Sequence, residues 1–544
     1  MKTTIIKLLS VILALTVLNA CSDFLEVTSK SQIANDALWS SSGNADLFLN
    51  NVYAGLPGPF TTDDPGENWT DNAMASRVGP TSRNLMALSQ YAPNNSPSQW
   101  GHYANIRRAN LFIENVTAST LPDDWKKQRL AEARFLRAYY YMLLWMYHGG
   151  VPIVTDVLNM SEQGDAVFRP RNTAEETFTF ITDECSAIAG DLPLSSDAGR
   201  ATRGAALTLK GWCELVWASP IYNPGNESAR WETAAHTHKQ VIDLDVYSLF
   251  PDYNALHFEE NNNNVEVIFD KQYLGGTALG SSREGLQGPW MVGGIQRSWG
   301  NVNPTQELVD EYAMANGLPI DDAASGYDPQ HPYEGREKRF YQSIIYDGSE
   351  WLGFEMVMKQ GVGSPNATDL SDINEATNTG YSLRKGLNPN YAINGPNQQN
   401  SGNFIIFRFA EVLLSYAEAQ NEAFGPDESV YAAVNSVRER SELPPLREGL
   451  SKEAMRTAIH RERRVELAFE EKRWYDLIRL RLAEKNLNGT LHATVIERKG
   501  SEWTYKNVPA PGGQRSFDPA KNYLLPIPQD AIDRNQQLIQ NPNY

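Results

Sequence analysis

Cysteine is scarce in this chain, with three residues among 544, which rules out the disulfide framework that staples small secreted proteins. Long apolar runs are scarce as well. The one near the start, Ile5 to Val17, falls short of the roughly 20 apolar residues that a membrane-spanning helix needs, and no later run is long and apolar enough to cross a bilayer. Basic residues are outnumbered: 48 Lys and Arg face 66 Asp and Glu, a net charge of −18. An acidic body repels phosphate backbones and speaks against nucleic acid as a partner. There is no G-x-S-x-G elbow, no phosphate-binding loop and no dinucleotide fingerprint. The eight histidines are scattered, and His236 and His238 are two apart rather than the four that puts two metal ligands on one helix face. Nothing here asks for a cofactor or a metal ion.

What is present begins with a processing segment. Lys2 and Lys7 form a short basic start, the apolar run follows, and it ends in Leu18-Asn19-Ala20-Cys21. This resembles a bacterial lipobox, in which residues 1–20 are removed and Cys21 becomes the acylated N-terminus. Each buried CH₂ of an acyl chain contributes about 0.8 kcal/mol, so two or more chains hold a soluble body firmly to a membrane. Cys185 and Cys213 then remain, both in helical patterns, either paired or as two buried free thiols. The rest of the chain is long enough for a large core.

Helical periodicity dominates both flanks. From Leu121 to Tyr147 apolar residues recur on every side, as expected of a helix buried over most of its surface, and Gly149-Gly150 with Pro152 stop it. The spacing predicts two helical pairs, Arg203 to Ala218 with Ser228 to Ile242, and Phe407 to Phe424 with Glu428 to Arg440. Stacked hairpins of this size are tetratricopeptide-like. The middle, 261–403, is rich in Asn, Gly, Ser and aromatics, with short apolar segments such as Val265 to Phe269. The expected fold is mostly α: a tetratricopeptide-like helical-hairpin scaffold with a loop-rich, partly β insertion. It divides into a helical region over 21–260, a ligand-facing region over 261–403 and a second helical region over 404–544.

Glu462 and Glu466 deserve a test as a catalytic pair. Both fall inside the apolar stripe of a helix, which is abnormal for charged groups. Their i, i+4 spacing sets the Cβ atoms about 5–6 Å apart, superficially like the carboxyls of a retaining glycosidase. Those must flank a sugar from opposite sides, however, and two groups on one helix face cannot easily do so. Arg461, Arg463, Arg464, Arg473 and Arg479 lie nearby in sequence and would hold the carboxylates ionised rather than leave one as a proton donor. A structural ion-pair network is the expectation.

Several segments, in order along almost the whole chain, resemble the SusD/RagB family. They are Ser22 to Glu26 after the lipobox, Gln128 to Val154, Asn303-Pro304-Thr305 with Glu307 to Asp310 and Asn316-Gly317, Arg336 to Gly348, Phe407 to Ala423, Arg461 to Arg479, and the closing Leu525-Pro526-Ile527-Pro528 and Gln540 to Tyr544. The resemblance implies a non-enzymatic lipoprotein on the outside of a Gram-negative outer membrane. It also implies a SusC-like TonB-dependent transporter as partner, to which oligosaccharides are passed. A lid for another cargo such as peptides, or a secreted glycosidase, are the alternatives.

Sugars present flat C–H faces ringed by hydroxyls, so a site for them wants exposed aromatic platforms beside planar hydrogen-bonding groups. Two stretches offer this: Trp69 with Asp71, Asn72, Arg77 and Arg83, and Trp290 and Trp299 with Arg297 and Asn301. In the family, ligand contacts come from these two broad regions. Trp100 and Tyr103 begin a helical pattern and read as core, and Trp145, Trp212, Trp217 and Trp474 lie in buried helical patterns.

Overall fold

The computed structural model describes residues 38–61, 65–75, 82–368, 376–391 and 395–544; Cys21 lies outside them. After α1 (Ser42–Ala54) come α2 (His102–Ala118) and α3 (Asp123–His148), the central helix. Asp123 and Asp124 in its first turn complement the helix dipole, and every residue from Ala138 to His148 is buried. Gly149 ends it at φ +73°. A Cβ on Gly150 would sit 2.0 Å from the Asn172 carbonyl oxygen, so only glycine lets the next segment approach. The closing motif of the chain secures the same point: Asn541 Nδ2 donates to the His148 and Leu525 carbonyls at 3.0 and 2.7 Å.

Helices then stack in sequence. α4 (Ala174–Ile188) starts with a Thr173/Glu176 capping box, and α5 (Arg203–Ala218) and α6 (Ser228–Ile242) match the ranges read from periodicity. α7 (Phe409–Phe424), α8 (Glu428–Arg440) and α9 (Lys452–Glu466) continue the scaffold, with Asp427 and Ser451 as N-caps of the last two. Each of α2 to α8 packs on the next, and α9 packs on α7, which gives the tetratricopeptide-like body. Cys185 and Cys213 are both buried free thiols.

Two differences from the sequence reading have local causes. The helix expected from Phe407 starts two residues later, because Phe407 and Arg408 belong to a strand, β2 (Phe404–Arg408), which pairs antiparallel with β1 (Val267–Lys271). That pairing ties the middle region to the scaffold, and Phe269 and Phe407 enter the main core with α1 and α3. The C-terminal region, expected to be helical, carries the longest strands, β3 (Gly489–Lys499) and β4 (Glu502–Arg515). Gly500 at φ +67° turns this hairpin, and Ala493, Val495 and Ile496 bury one part of it.

Candidate functional site

A short helix, Arg283–Gln287, is the peg from which the second candidate stretch hangs. The Trp299 and Asn301 amides donate to the Gly285 and Leu286 carbonyls, both at 2.9 Å, and Ser298 Oγ donates to Gly285 at 2.9 Å. A Cβ on Gly285 would meet the Pro396 carbonyl oxygen at 2.1 Å, so a larger residue there would push the facing segment off the helix. Beyond the peg, Met291–Val292 pairs with Ile295–Gln296 around Gly293 and Gly294, whose φ of +60° and +78° suit a tight hairpin turn. Its tip is apolar and open: Ile295 is 51% exposed, and so is 45% of Phe354, whose ring lies against Gly293. Neither residue was singled out from sequence, since an isolated Ile or Phe carries no pattern.

The two candidate stretches meet. Ala73–Met74 pairs antiparallel with Asn303–Pro304, the Thr305 amide and Oγ1 donate to the carbonyls of Asn72 and Asp71, and Asn68 Nδ2 donates to the Asn301 carbonyl at 2.9 Å. The polar residues at this junction are committed to the scaffold, which corrects the expectation that they face a ligand. Arg473 grips Asp71 through Nε and Nη2, both at 2.8 Å, and Arg464 and Asn486 add contacts of 3.1 and 2.7 Å. Burial alone would raise the Asp71 carboxyl, but Arg464 and Arg473 outweigh it and hold the group well below the usual carboxylate range. Asn72 spends Nδ2 on Glu67 (2.8 Å) and Oδ1 on Arg464 (2.9 Å). Asn301 is buried as well.

Trp69, Trp290, Arg297 and Trp299 are half-buried. Trp69 meets Trp474 edge-on, with ring centroids 6.0 Å apart. The Arg297 amide donates to the Trp290 carbonyl at 2.9 Å, closing the base of the hairpin. Arg77 lies outside the described residues. Arg83 belongs to the short helix Ser82–Ala87, and its side chain lies outside the description. Trp100 and Tyr103 pack on each other at 5.1 Å against the core.

The carboxylates weighed as a catalytic pair sit in a buried ionic network. Glu466 contacts Arg408 at 2.7 Å, Arg339 at 3.0 Å and also Arg440. Glu462 pairs with Arg339 at 2.7 Å and Arg438 at 3.1 Å. Burial would raise the Glu466 carboxyl, yet Arg440, Arg408 and Arg339 pull it far below its ordinary value, which is the wrong direction for a proton donor.

Other buried carboxyls, Glu67, Glu337 and Glu284 among them, are shifted in the opposite direction by burial. Glu284, on the peg helix, accepts from the Asn388 amide at 3.0 Å and Asn400 Nδ2 at 3.3 Å, and its Oε2 has no hydrogen-bond partner. Burial is the largest influence, partly offset by these donors and by Arg283, and the carboxyl is pushed up to about 7. A raised folded-state value favours the protonated form. Its contribution to stability is therefore fully present below the ordinary value of 4.5 and lost as pH rises through about 7. Urea unfolding should accordingly show the wild type losing more stability than Glu284→Gln between pH 6 and pH 8. Parallel profiles for the two proteins would remove Glu284 from the account.

The fold and these placements can be set beside known proteins. Residues 265–544 match the model of the SusD family, and residues 23–210 match one described as starch-binding associating with outer membrane. A SusD-like protein of Formosa agariphila is 25% identical over 490 residues, covering 86% of this chain and 90% of its own. A second from the same organism is 29% identical over 462 residues, covering 81% and 79%. Among solved structures, a SusD-like protein of Bacteroides fragilis superposes with a TM-score of 0.80 at 29% identity, covering 94% of this chain and 99% of that one. A SusD-like carbohydrate binding protein of the same species gives 0.78 at 26% identity, covering 92% and 100%. Among the described residues no helix is long and apolar enough to cross a membrane. The match over 265–544 alone takes in more than half of the chain, and with it the network and the strand pair that organise the fold: the chain belongs to the SusD family.

Proposed function

We propose that this chain is a lipid-anchored, non-enzymatic glycan-binding protein on the outer face of the outer membrane, and that it hands oligosaccharides to a SusC-like TonB-dependent transporter. The observation that carries the reading is the glycine-rich stretch after the peg helix. It holds Trp290 and Trp299 half-buried, with Arg297 between them in sequence, on a rigid mount. Half-exposed indoles offer flat faces for sugar C–H groups, and a guanidinium offers planar donors for hydroxyls. Trp69 is the third aromatic candidate, and Arg77 and Arg83 are proposed from the sequence alone. Asp71, Asn72 and Asn301 support the candidate surface from beneath. The relatives lend support: one is named a carbohydrate binding protein, and one matching family model is described as starch-binding. Transfer to a transporter rests on the resemblance to the family.

Glycan titration of the mature chain tests the binding half of this reading. The anchor is tested separately, because Cys21 is the one cysteine placed to accept lipid. Cys21→Ala should leave the protein soluble or uncleaved when cells are fractionated. Recovery of the variant as mature protein in the outer membrane, in wild-type amount, would sink the lipid anchor.

A further inference from the structure

A second hydrophobic core, built around Phe340, Ile344, Ile345 and Tyr381, reaches the surface as a set of aromatic rings. Tyr341, Tyr346, Trp503 and Tyr505 are half-buried against it. Trp503 and Tyr505 are two residues apart on β4, so both side chains point to one face, roughly 7 Å apart along the strand. Tyr341 and Tyr346 flank the short strand Ile344–Ile345. Buried Tyr333 joins the two sets: its ring meets Tyr346 at 4.6 Å and Tyr505 edge-on at 5.5 Å. Tyr341 lies 6.1 Å from Tyr346, and the Lys359 ammonium 5.7 Å from the Trp503 ring. Together these residues form one continuous strip, which shares no residue with the Trp290–Trp299 stretch.

The strip is firmly mounted. The Gln360 amide donates to the Ile496 carbonyl at 3.0 Å, which ties the Lys359 segment to β3. Asp347 accepts from the Met358 amide at 2.9 Å and pairs with Lys359 at 2.9 Å. Rings fixed beforehand lose little freedom when a ligand arrives. Tyr341 spends its hydroxyl on the Tyr333 carbonyl at 2.7 Å. Among the described residues, by contrast, the Tyr346 and Tyr505 hydroxyls and the Trp503 Nε1–H have no hydrogen-bond partner, and none of the three is closed off from solvent. A phenol hydroxyl both donates and accepts, and an indole donates. A purely apolar partner would leave all three groups unpaired at the contact. A sugar would not: its C–H face stacks on a ring while its hydroxyls take the place of water at the ring edges. Building on the reading of the chain as a glycan binder, we infer that this strip is a second glycan-contact surface. Sugar rings lie on Tyr346 and Tyr505, and sugar hydroxyls bond to those two phenols and to Trp503 Nε1.

The test is affinity electrophoresis of the soluble chain, lacking residues 1–21, through gels containing soluble starch, laminarin, xylan or pectin. In the gel that retards the wild type, the Trp290→Ala/Trp299→Ala protein should keep a residual retardation, carried by the strip. Adding Tyr346→Phe/Tyr505→Phe, which keeps both rings and removes only the hydroxyls, should weaken that residue about three- to tenfold. Tyr346→Ala/Tyr505→Ala in the same background, which also removes the stacking area, should weaken it about ten- to hundredfold. Thermal melting checks that each variant is folded, and the phenylalanine pair serves where the alanine pair is not. Complete loss of retardation in the folded Trp290→Ala/Trp299→Ala protein, or a residue unchanged by the tyrosine substitutions, would overturn the strip and leave the loop tryptophans standing. Retardation untouched by the tryptophan substitutions and lost with the tyrosine ones would support the strip and overturn the loop tryptophans. No retardation of the wild type in any of the four gels would overturn both.

Discussion

Glu466→Gln is expected to destabilise the protein by about 3–5 kcal/mol, the cost of removing one partner from a buried ionic cluster. Glu466 is fully buried and touches Arg339, Arg408 and Arg440. Glutamine preserves the shape and removes the charge, leaving three arginines facing each other with less compensation. Glu470 cannot make good the loss, since it is already paired to Arg408 and Lys385. Urea unfolding at neutral pH gives the measurement, and a midpoint equal to wild type would contradict the structural role. The same cluster fixes the acid behaviour. Although burial pushes the other way, neighbouring cations depress both Glu466 and Glu470 in the folded state. The stability they contribute is present above their ordinary value of 4.5 and lost as pH falls below it. Glu466→Gln should therefore lose less stability on acidification than the wild type.

Asp71→Asn should be nearly as costly, again about 3–5 kcal/mol, and it carries a second consequence. Asp71 is the counter-charge for Arg473 and Arg464, and its carbonyl takes the Thr305 hydroxyl at 2.6 Å. Weakening this knot loosens the strand pair Ala73–Met74 with Asn303–Pro304, which joins the two stretches proposed to face the ligand. Glycan affinity should fall together with stability, and lowering the temperature should restore part of both. A variant with wild-type stability and selectively lost binding would return Asp71 to the ligand surface.

The scaffold was legible in the sequence wherever a helix buries one face or all of it. α5, α6 and α8 begin and end where apolar spacing and Pro or Gly punctuation place them. The ionic role of Glu462 and Glu466 was legible because an apolar stripe cannot hold two bare carboxylates, but their partners were not. Arg339, Arg408, Arg438 and Arg440 come from other elements, while Arg463 and Arg464 beside them pair with Asp476 and Asp71. Asp71 and Asn72 were misread for the opposite reason. Their partners Arg464 and Arg473 lie some 390 to 400 residues away in sequence, and locally a Trp-Thr-Asp-Asn run in a Gly/Pro-rich stretch looks like exposed loop chemistry. The hairpin of β3 and β4 was hidden inside a region dominated by helical signals.

The central claim is that this chain binds glycan through its loop tryptophans, and one measurement addresses it most directly. The soluble chain, lacking residues 1–21, is titrated against a panel of polysaccharides and their oligosaccharides, alongside Trp290→Ala and Trp299→Ala. A few stacking contacts, worth about 0.5–1.5 kcal/mol each beyond area burial, support weak binding, and a Kd near 1 mM needs only about −4.1 kcal/mol. The account predicts saturable binding of at least one glycan. It further predicts that both variants bind it more weakly while their stability stays within about 1 kcal/mol of wild type. Packed tryptophans would instead cost about 3–5 kcal/mol on truncation. Early melting of both variants with undiminished affinity, or no glycan bound by the wild type across the panel, would contradict it.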